Sequence, residues 1–400
     1  MSKTQKTVVL AYSGGLDTSY CVKYLTEVKN LAVHAVMVNT GGFSKEEISK
    51  TEARARSLGV KEFHCVDVTE EYYQDCLRFL VYGNVLRYQT YPLSVSAERV
   101  FQAKAIAEYA AKAGADYVAH GSTGAGNDQV RFDLMFEILC PGIEILTPIR
   151  DQQLSREAEI EFLKAHGVEM NWEKAKYSIN QGLWGTSVGG AETLSSHQML
   201  PEEAWPTPLS KSAPESISLQ FEAGELKGVA GKTYEKPVDA IRALHELAAP
   251  YAIGRDVHVG DTIIGIKGRV GFEAAAPLII IKAHHTLEKH VLTKWQHYWK
   301  DQLANWYGMM VHEGQLLDPV MRDIEAFLAR TQHNVTGTVQ VQLSPYQFMI
   351  LGIESPFDLM SSKFGSYGEM NQGWTGEDVK GFTKILSNQT KIHYHVNQQK

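Results

Sequence analysis

Residues 8–19 read VVLAYSGGLDTS. The apolar run Val8-Val9-Leu10 predicts a buried strand, Ser13-Gly14-Gly15 a tight turn, and Asp17-Thr18-Ser19 the opening of a helix that continues through Tyr20, Val22 and Leu25. Adjacent glycines let the backbone approach a ligand, and the amides of a helix's first turn have no partner inside the helix. An anion placed there meets N–H donors and the positive end of the dipole. No lysine follows the glycines, so the spacing differs from the G-x-x-x-x-G-K-[ST] loop that grips a terminal phosphate. A lysine-free turn suits a pyrophosphate that departs as a unit, with attack on the inner phosphorus. The same residues would also make an ordinary strand-turn-helix corner, so other stretches must decide.

Outward from this corner, Leu31–Asn39 and Glu62–Val66 read as strands, and Lys45–Ser57 and Glu70–Phe79 as helices. This alternation predicts an α/β fold with a parallel sheet covered on both faces. Tyr91-Pro92-Leu93 is a loop, Ala97–Ala113 a long helix ended by Gly114, and Asp116–Ala119 a further strand. That strand runs into HGSTGAGNDQVR, residues 120–131, a second glycine-hydroxyl stretch in which Asn127 or Asp128 starts a helix. Asn127 and Arg131 lie four apart and share a face, so together they could grip one carboxylate or ureido group. Helix Ser155–His166 then closes the first domain.

Tyr177–Gly190 reads as irregular, because glycines and hydroxyls interrupt any period. Pro201–Pro214 is a linker or arm, Ser216–Phe221 a strand turning at Gly224, and Val238–Leu247 a helix. Asp256–Lys267 reads as strand and loop, and Ala274–Val311 as one long helix whose Trp295, Tyr298, Trp299, Trp306 and Tyr307 form a stripe for packing within the fold or between subunits. Val335–Leu343 and Gln347–Ile353 pair through Pro345, and Glu377–Lys400 is a polar tail for subunit contacts or disorder.

A chain of 400 residues, 44% hydrophobic, suffices for two or three domains with substantial cores. Its apolar runs fall short of a membrane span, and MSKTQKT is polar rather than secretory, which points to the cytoplasm. Cys21, Cys65, Cys76 and Cys140 show no C-x-x-C spacing and read as buried thiols. With a net charge of -7 and no run of Lys or Arg, small molecules are the expected partners rather than nucleic acid or membrane.

AYSGGLDTS is similar to the pyrophosphate loop of the N-type ATP pyrophosphatases. Alone it would fit GMP synthetase, asparagine synthetase or a tRNA-thiolating enzyme. Together with TYPLSVSAER, HGSTGAGNDQVRFDL and YSINQGLWGTSVGG, over most of the chain, it resembles the argininosuccinate synthase family. The resemblance implies a nucleotide-binding domain over residues 1–170, an α+β synthetase and multimerisation domain over 171–375, and an oligomerisation tail over 376–400 of a cytoplasmic homotetramer. It implies an ATP-dependent C–N ligase of arginine biosynthesis: citrulline's ureido oxygen attacks the α-phosphorus of ATP, pyrophosphate leaves, and aspartate's amine displaces AMP. Mg2+ would ride on the ATP phosphates and waters, with no metal site built by the protein.

Residue by residue, the resemblance assigns Ala11, Tyr12, Ser13, Gly14, Gly15, Leu16, Asp17, Thr18, Ser19, Val38 and Gly121 to ATP. Thr123, Asn127 and Asp128 fall to aspartate, and Tyr91, Ser96, Asn127, Arg131, Ser178 and Ser187 to citrulline. Ser13, Asp17 and Asp128 are the candidate catalytic residues, acting by electrostatic positioning rather than as nucleophiles.

Gly260, Asp261 and Phe272 depart from the family's usual glutamate, asparagine and tyrosine, and Ala125 from a lysine or similar residue. Either Asp261 or Glu273 supplies the acid from a neighbouring position, or the ureido substrate is acylated on its α-nitrogen. A tRNA-thiolating enzyme would show a basic face and working cysteines. A nucleotide sensor without turnover would need only the first domain.

Overall fold

The corner at residues 8–19 folds as read. In the computed structural model, which describes residues 5–172, 176–361, 367–369 and 373–398, β1 (Thr7–Ala11) passes through the glycine turn into α1 (Leu16–Lys23). There follow β2 (Ala32–Asn39), α2 (Lys45–Ser57), β3 (Glu62–Asp67), the short α3 (Thr69–Tyr72) and α4 (Arg78–Tyr82), and the long α5 (Ser94–Ala113). Then come β4 (Tyr117–Ala119), α6 (Asp128–Leu139), β5 (Glu144–Leu146), α7 (Pro148–Gln152) and α8 (Arg156–Ala165).

All five strands run parallel in the order β3-β2-β1-β4-β5. Along β1, Val8 and Leu10 join the core on one face while Val9 and Ala11 join the core on the other, so the strand is apolar without alternation. From β1 the chain steps outward to β2 and β3, then returns to lay β4 on the opposite side. The carboxyl ends of β1 and β4 therefore flank a switch point, the crevice in which open sheets of this type take ligands.

The rest of the chain supplies β6 (Ser178–Gly182), β7 (Gly185–Gly189), β8 (Glu215–Glu222), β9 (Glu225–Val229), β10 (Lys232–Thr233), α9 (Pro237–Ala248), β11 (Arg255–Asp261) and β12 (Lys267–Glu273). Helices α10 (Ala275–Val291), α11 (Lys294–His312) and α12 (Pro319–Thr331), strands β13 (Gly337–Ser344) and β14 (Gln347–Glu354), and helices α13 (Gly376–Leu386) and α14 (Asn388–Gln398) complete it. Two antiparallel sheets result, ordered β10-β9-β8-β13-β14 and β11-β12-β7-β6. Helix α5 packs against β1, β2 and β4 and also against β6 and β7, so it couples the parallel sheet to the smaller antiparallel one. One buried cluster runs from Val9 through Phe101 to Ile279 and Val339, giving both halves a common core.

Four expectations are corrected. Tyr177–Gly190 is not irregular: most of it is the β6-β7 hairpin, whose turn buries Trp184 and directs its Nε1–H to the Pro92 carbonyl at 3.0 Å. Its glycines serve close packing; a Cβ at Gly182 would stand 2.6 Å from a Glu98 carboxylate oxygen. The helix expected over 274–311 breaks at Leu292, and α11 restarts from a capping box of Thr293 with Gln296. The tail is not merely polar but forms two helices that expose Val379, Phe382, Ile385 and Leu386; residues 399–400 lie outside the described residues. Cys65 is exposed because β3 is an edge strand, whereas the other three cysteines are buried. Of the aromatic stripe only Tyr307 is buried; Trp295, Tyr298, Trp299 and Trp306 are exposed. No described helix is long and apolar enough to cross a membrane.

Candidate active site

A cavity of about 980 Å³ opens at the switch point. Ala11, Tyr12, Ser13, Gly15, Leu16, Asp17 and Thr18 line it from the first corner, with Val38 from β2 and Gly121 from the second. Gly14 and Ser19 support the turn from behind. Gly14 has φ +76° and its carbonyl accepts from Arg54 Nη1 at 2.6 Å, while Ser19 Oγ donates to the Gly15 carbonyl at 2.7 Å. A residue with a side chain would be strained at Gly14, and its Cβ would press on Thr51 at 3.2 Å. Gly15 caps α1 without a side-chain acceptor, which leaves the first-turn amides available to a ligand. A Cβ on Gly121 would already touch the Asp17 backbone at 3.4 Å, so the two corners are in close packing.

Behind Asp17 lies Glu159 of α8, a buried carboxyl with one oxygen lacking a hydrogen-bond partner. Burial, then the charge of Asp17 and a hydrogen bond with it, push Glu159 up to about 8. Sequence reasoning missed this pair because it joins two helices distant in the chain.

The second corner is held by a relay. His120 Nδ1 accepts from the Ser122 amide at 3.2 Å, which leaves Nε2–H to donate to Asp133 at 2.9 Å. Arg150 donates to the same carboxylate at 2.6 Å. Burial raises Asp133, but these two donors outweigh it and hold the group below its usual range.

Thr123, Asn127, Asp128 and Arg131 all line the cavity. Asn127 and Arg131, expected to share a face, both bond protein groups here. Asn127 Oδ1 accepts from the Ile263 amide at 2.8 Å, and Arg131 spends its fork on protein acceptors. Its Nε and Nη2 donate to the His312 carbonyl at 3.0 and 2.8 Å, Nη2 also to Ser96 Oγ at 3.1 Å, and Nη1 to Asp128 at 3.0 Å. Arg99 donates to the other oxygen of Asp128 at 3.1 Å and to Asn180 Oδ1 at 2.9 Å, tying α5, α6 and β6 together. Burial raises Asp128, yet the two guanidiniums hold it below its usual range. Arg99 sits within a stretch singled out from the sequence but was given no role. His312, at the end of α11, carries no local signal, being 216 residues from the Ser96 it bonds.

The third wall is one face of the β11-β12-β7-β6 sheet, where strand pairing puts Ser178, Asn180, Ser187, Val270, His258 and Gly260 on the cavity side. Tyr91 is buried beneath them, its hydroxyl accepting from the Val95 amide at 3.0 Å. Phe272 packs against Tyr91 with ring centroids 5.3 Å apart. Of the two alternative acids, Asp261 lines the cavity, accepting from the Tyr88 hydroxyl at 2.9 Å and pairing with Lys267. Glu273 is turned away, buried against Thr207 and Arg255.

Two phosphate-suited corners and a hydroxyl-lined wall around one space can hold a nucleotide against a second, neutral polar substrate. Residues 7–169 match a family model described as "Arginosuccinate synthase N-terminal HUP domain", and residues 177–393 one described as "Arginosuccinate synthase C-terminal domain". The chain belongs to the argininosuccinate synthase family. It is similar to the argininosuccinate synthase of Methanocaldococcus jannaschii, with 37% identity over 91% of this chain and 92% of that protein. The Dictyoglomus thermophilum enzyme of the same name is 36% identical over 97% and 98%, and that of Xylella fastidiosa 34% over 99% of each. Membership explains why the glycine corner and the GNDQVR helix open onto the same space.

Proposed function

We propose that the chain joins aspartate to a ureido amino acid of the citrulline type at the expense of ATP. The ureido oxygen attacks the α-phosphorus, pyrophosphate departs from the first corner, and the aspartate amine displaces AMP from the activated carbon. The observation that carries this reading is the convergence of both glycine-hydroxyl corners and the Ser178-Ser187 wall on one cavity.

In this reading the nucleotide-binding part spans residues 1–170, the synthetase part 171–375 and an oligomerisation tail 376–400. Ser13, Gly14, Gly15, Asp17, Thr18 and Ser19 cradle the departing pyrophosphate, and Ala11, Tyr12, Leu16, Val38 and Gly121 bound the rest of the ATP. Ser13 and Thr18 hydroxyls lie 3.3 Å apart, close enough to bond neighbouring phosphate oxygens. Thr123, Asn127 and Asp128 receive aspartate. Tyr91, Ser96, Asn127, Arg131, Ser178 and Ser187 receive the ureido substrate. Arg131 acts there largely as a positioning residue, since most of its fork is committed to protein acceptors.

The donor set suits Mg2+ carried by the nucleotide: Asp17 is a carboxylate of the first corner and the hydroxyls beside it are oxygen donors. The ion would neutralise charge on the phosphates; the chain's part is to orient them and exclude water. Exposed aromatics on α11 and the apolar faces of α13 and α14 support assembly into a homotetramer. The cytoplasm is the compartment that fits a biosynthetic ligase with free thiols. Product analysis tests the reaction: AMP and pyrophosphate should form in equal amounts only when aspartate and the ureido substrate are both supplied. ADP, or AMP formed without them, would refute it.

A further inference from the structure

The amino-acid end of the cavity is short of negative charge. Of the carboxylates that line it, Asp128 is bridged by Arg99 and Arg131, Asp261 is paired with Lys267, and Glu98 is buried between Thr40 and Gln102. Two histidines stand there as neutral rings. His312 is pushed down to about 3 by burial and by the charges of Arg131 and Arg87. His258 is pushed down to about 4 by burial and Arg87. A primary ammonium brought into this space would face guanidiniums, and the one of these carboxylates without a cationic partner, Glu98, is itself held above its usual range by burial.

The wall also has a gap. Gly260 and Gly268 face one another across β11 and β12, and both line the cavity. A Cβ at Gly268 would meet only Thr262, at 3.6 Å, whereas one at Gly260 would come within 2.5 Å of His258 Nε2. His258 is held in place by stacking on Tyr91 and Tyr88, with centroids 5.1 and 5.9 Å away. The result is an open slot over Gly268, bounded on the Gly260 side by the neutral His258 imidazole, which suits an amide rather than a cation.

We propose that this slot receives an acyl group, so that the ureido substrate is a citrulline acylated on its α-nitrogen. The inference rests on the adenylating reading above and narrows its substrate. The acyl group takes no part in the bond changes: the ureido oxygen is still adenylated and the aspartate amine still displaces AMP, leaving an N-acylated product.

The test is steady-state pyrophosphate release by the full chain with ATP, Mg2+ and aspartate, comparing citrulline, Nα-acetylcitrulline and Nα-succinylcitrulline. At least one acylated form should exceed free citrulline in kcat/KM by about tenfold or more, the scale set by leaving a substrate charge unpaired. Acetyl preferred over succinyl, or the reverse, supports the proposal and names the acyl class. Free citrulline equal to or better than both overturns it while leaving the adenylation reading intact. Silence with all three overturns both. Gly268→Glu, where a side chain has room, should move the preference toward free citrulline by about tenfold; an unchanged ratio in the folded variant would also overturn the proposal.

Discussion

Glu159→Gln probes the carboxyl pair behind the phosphate corner. In the folded chain Glu159 is pushed from an ordinary 4.5 up to about 8 by burial and by Asp17. An acid raised in this way keeps its proton in the fold at a pH where the unfolded chain has lost it. Its stabilising contribution is therefore complete below about 4.5 and is lost as pH rises through about 8. At about 1.36 kcal/mol per pH unit the displacement bounds the effect at roughly 5 kcal/mol. The hydrogen bond between Glu159 and Asp17 returns part of that cost, and we take about 2 kcal/mol as the net. Glutamine keeps the shape and can donate to Asp17 but does not titrate. Urea unfolding of the wild type and variant at a series of pH values should show the variant gaining on the wild type between about pH 5 and 8, to about 2 kcal/mol. A gap that stays constant or reverses across that window would mean Glu159 is ionised in the fold, and the reasoning about the pair would be wrong.

Arg131→Lys should lower kcat/KM by about a hundredfold with far-UV circular dichroism unchanged, because an ammonium cannot span Asp128, Ser96 and the His312 carbonyl together. His258 and His312 are neutral above about 4 and 3 respectively, so the kcat/KM profile should show no step from either ring between about pH 5.5 and 7.5; a step that disappears in a His258→Gln or His312→Gln variant would contradict this. Light scattering should give four times the chain mass, and Trp299→Glu with Trp306→Glu, both on the exposed face of α11, should reduce it.

Local pattern carried the first half of the chain. The Ser44 capping box with Glu47 marks the start of α2, and left-handed Gly114 ends α5, so both boundaries stand in the sequence. The β6-β7 hairpin was illegible for a different reason. Its residues have little strand preference of their own and become a sheet by pairing with β12 across some eighty positions of sequence. The same distinction separates the site residues. Ser13, Asp17 and Thr18 stand on one turn and could be read as a unit, whereas Glu159 and His312 join the site only through tertiary packing. The committed state of Arg131 was hidden too, since helix spacing reports which side chains share a face and not which acceptors lie opposite.

The claim on which the account depends is that an oxygen of the ureido group becomes bonded to the inner phosphorus of ATP. Turnover with substrate carrying 18O in the ureido position measures this directly. The account predicts one labelled oxygen in the phosphate of the released AMP and none in pyrophosphate; label retained in the amino-acid product or lost to water, with unlabelled AMP, would contradict it.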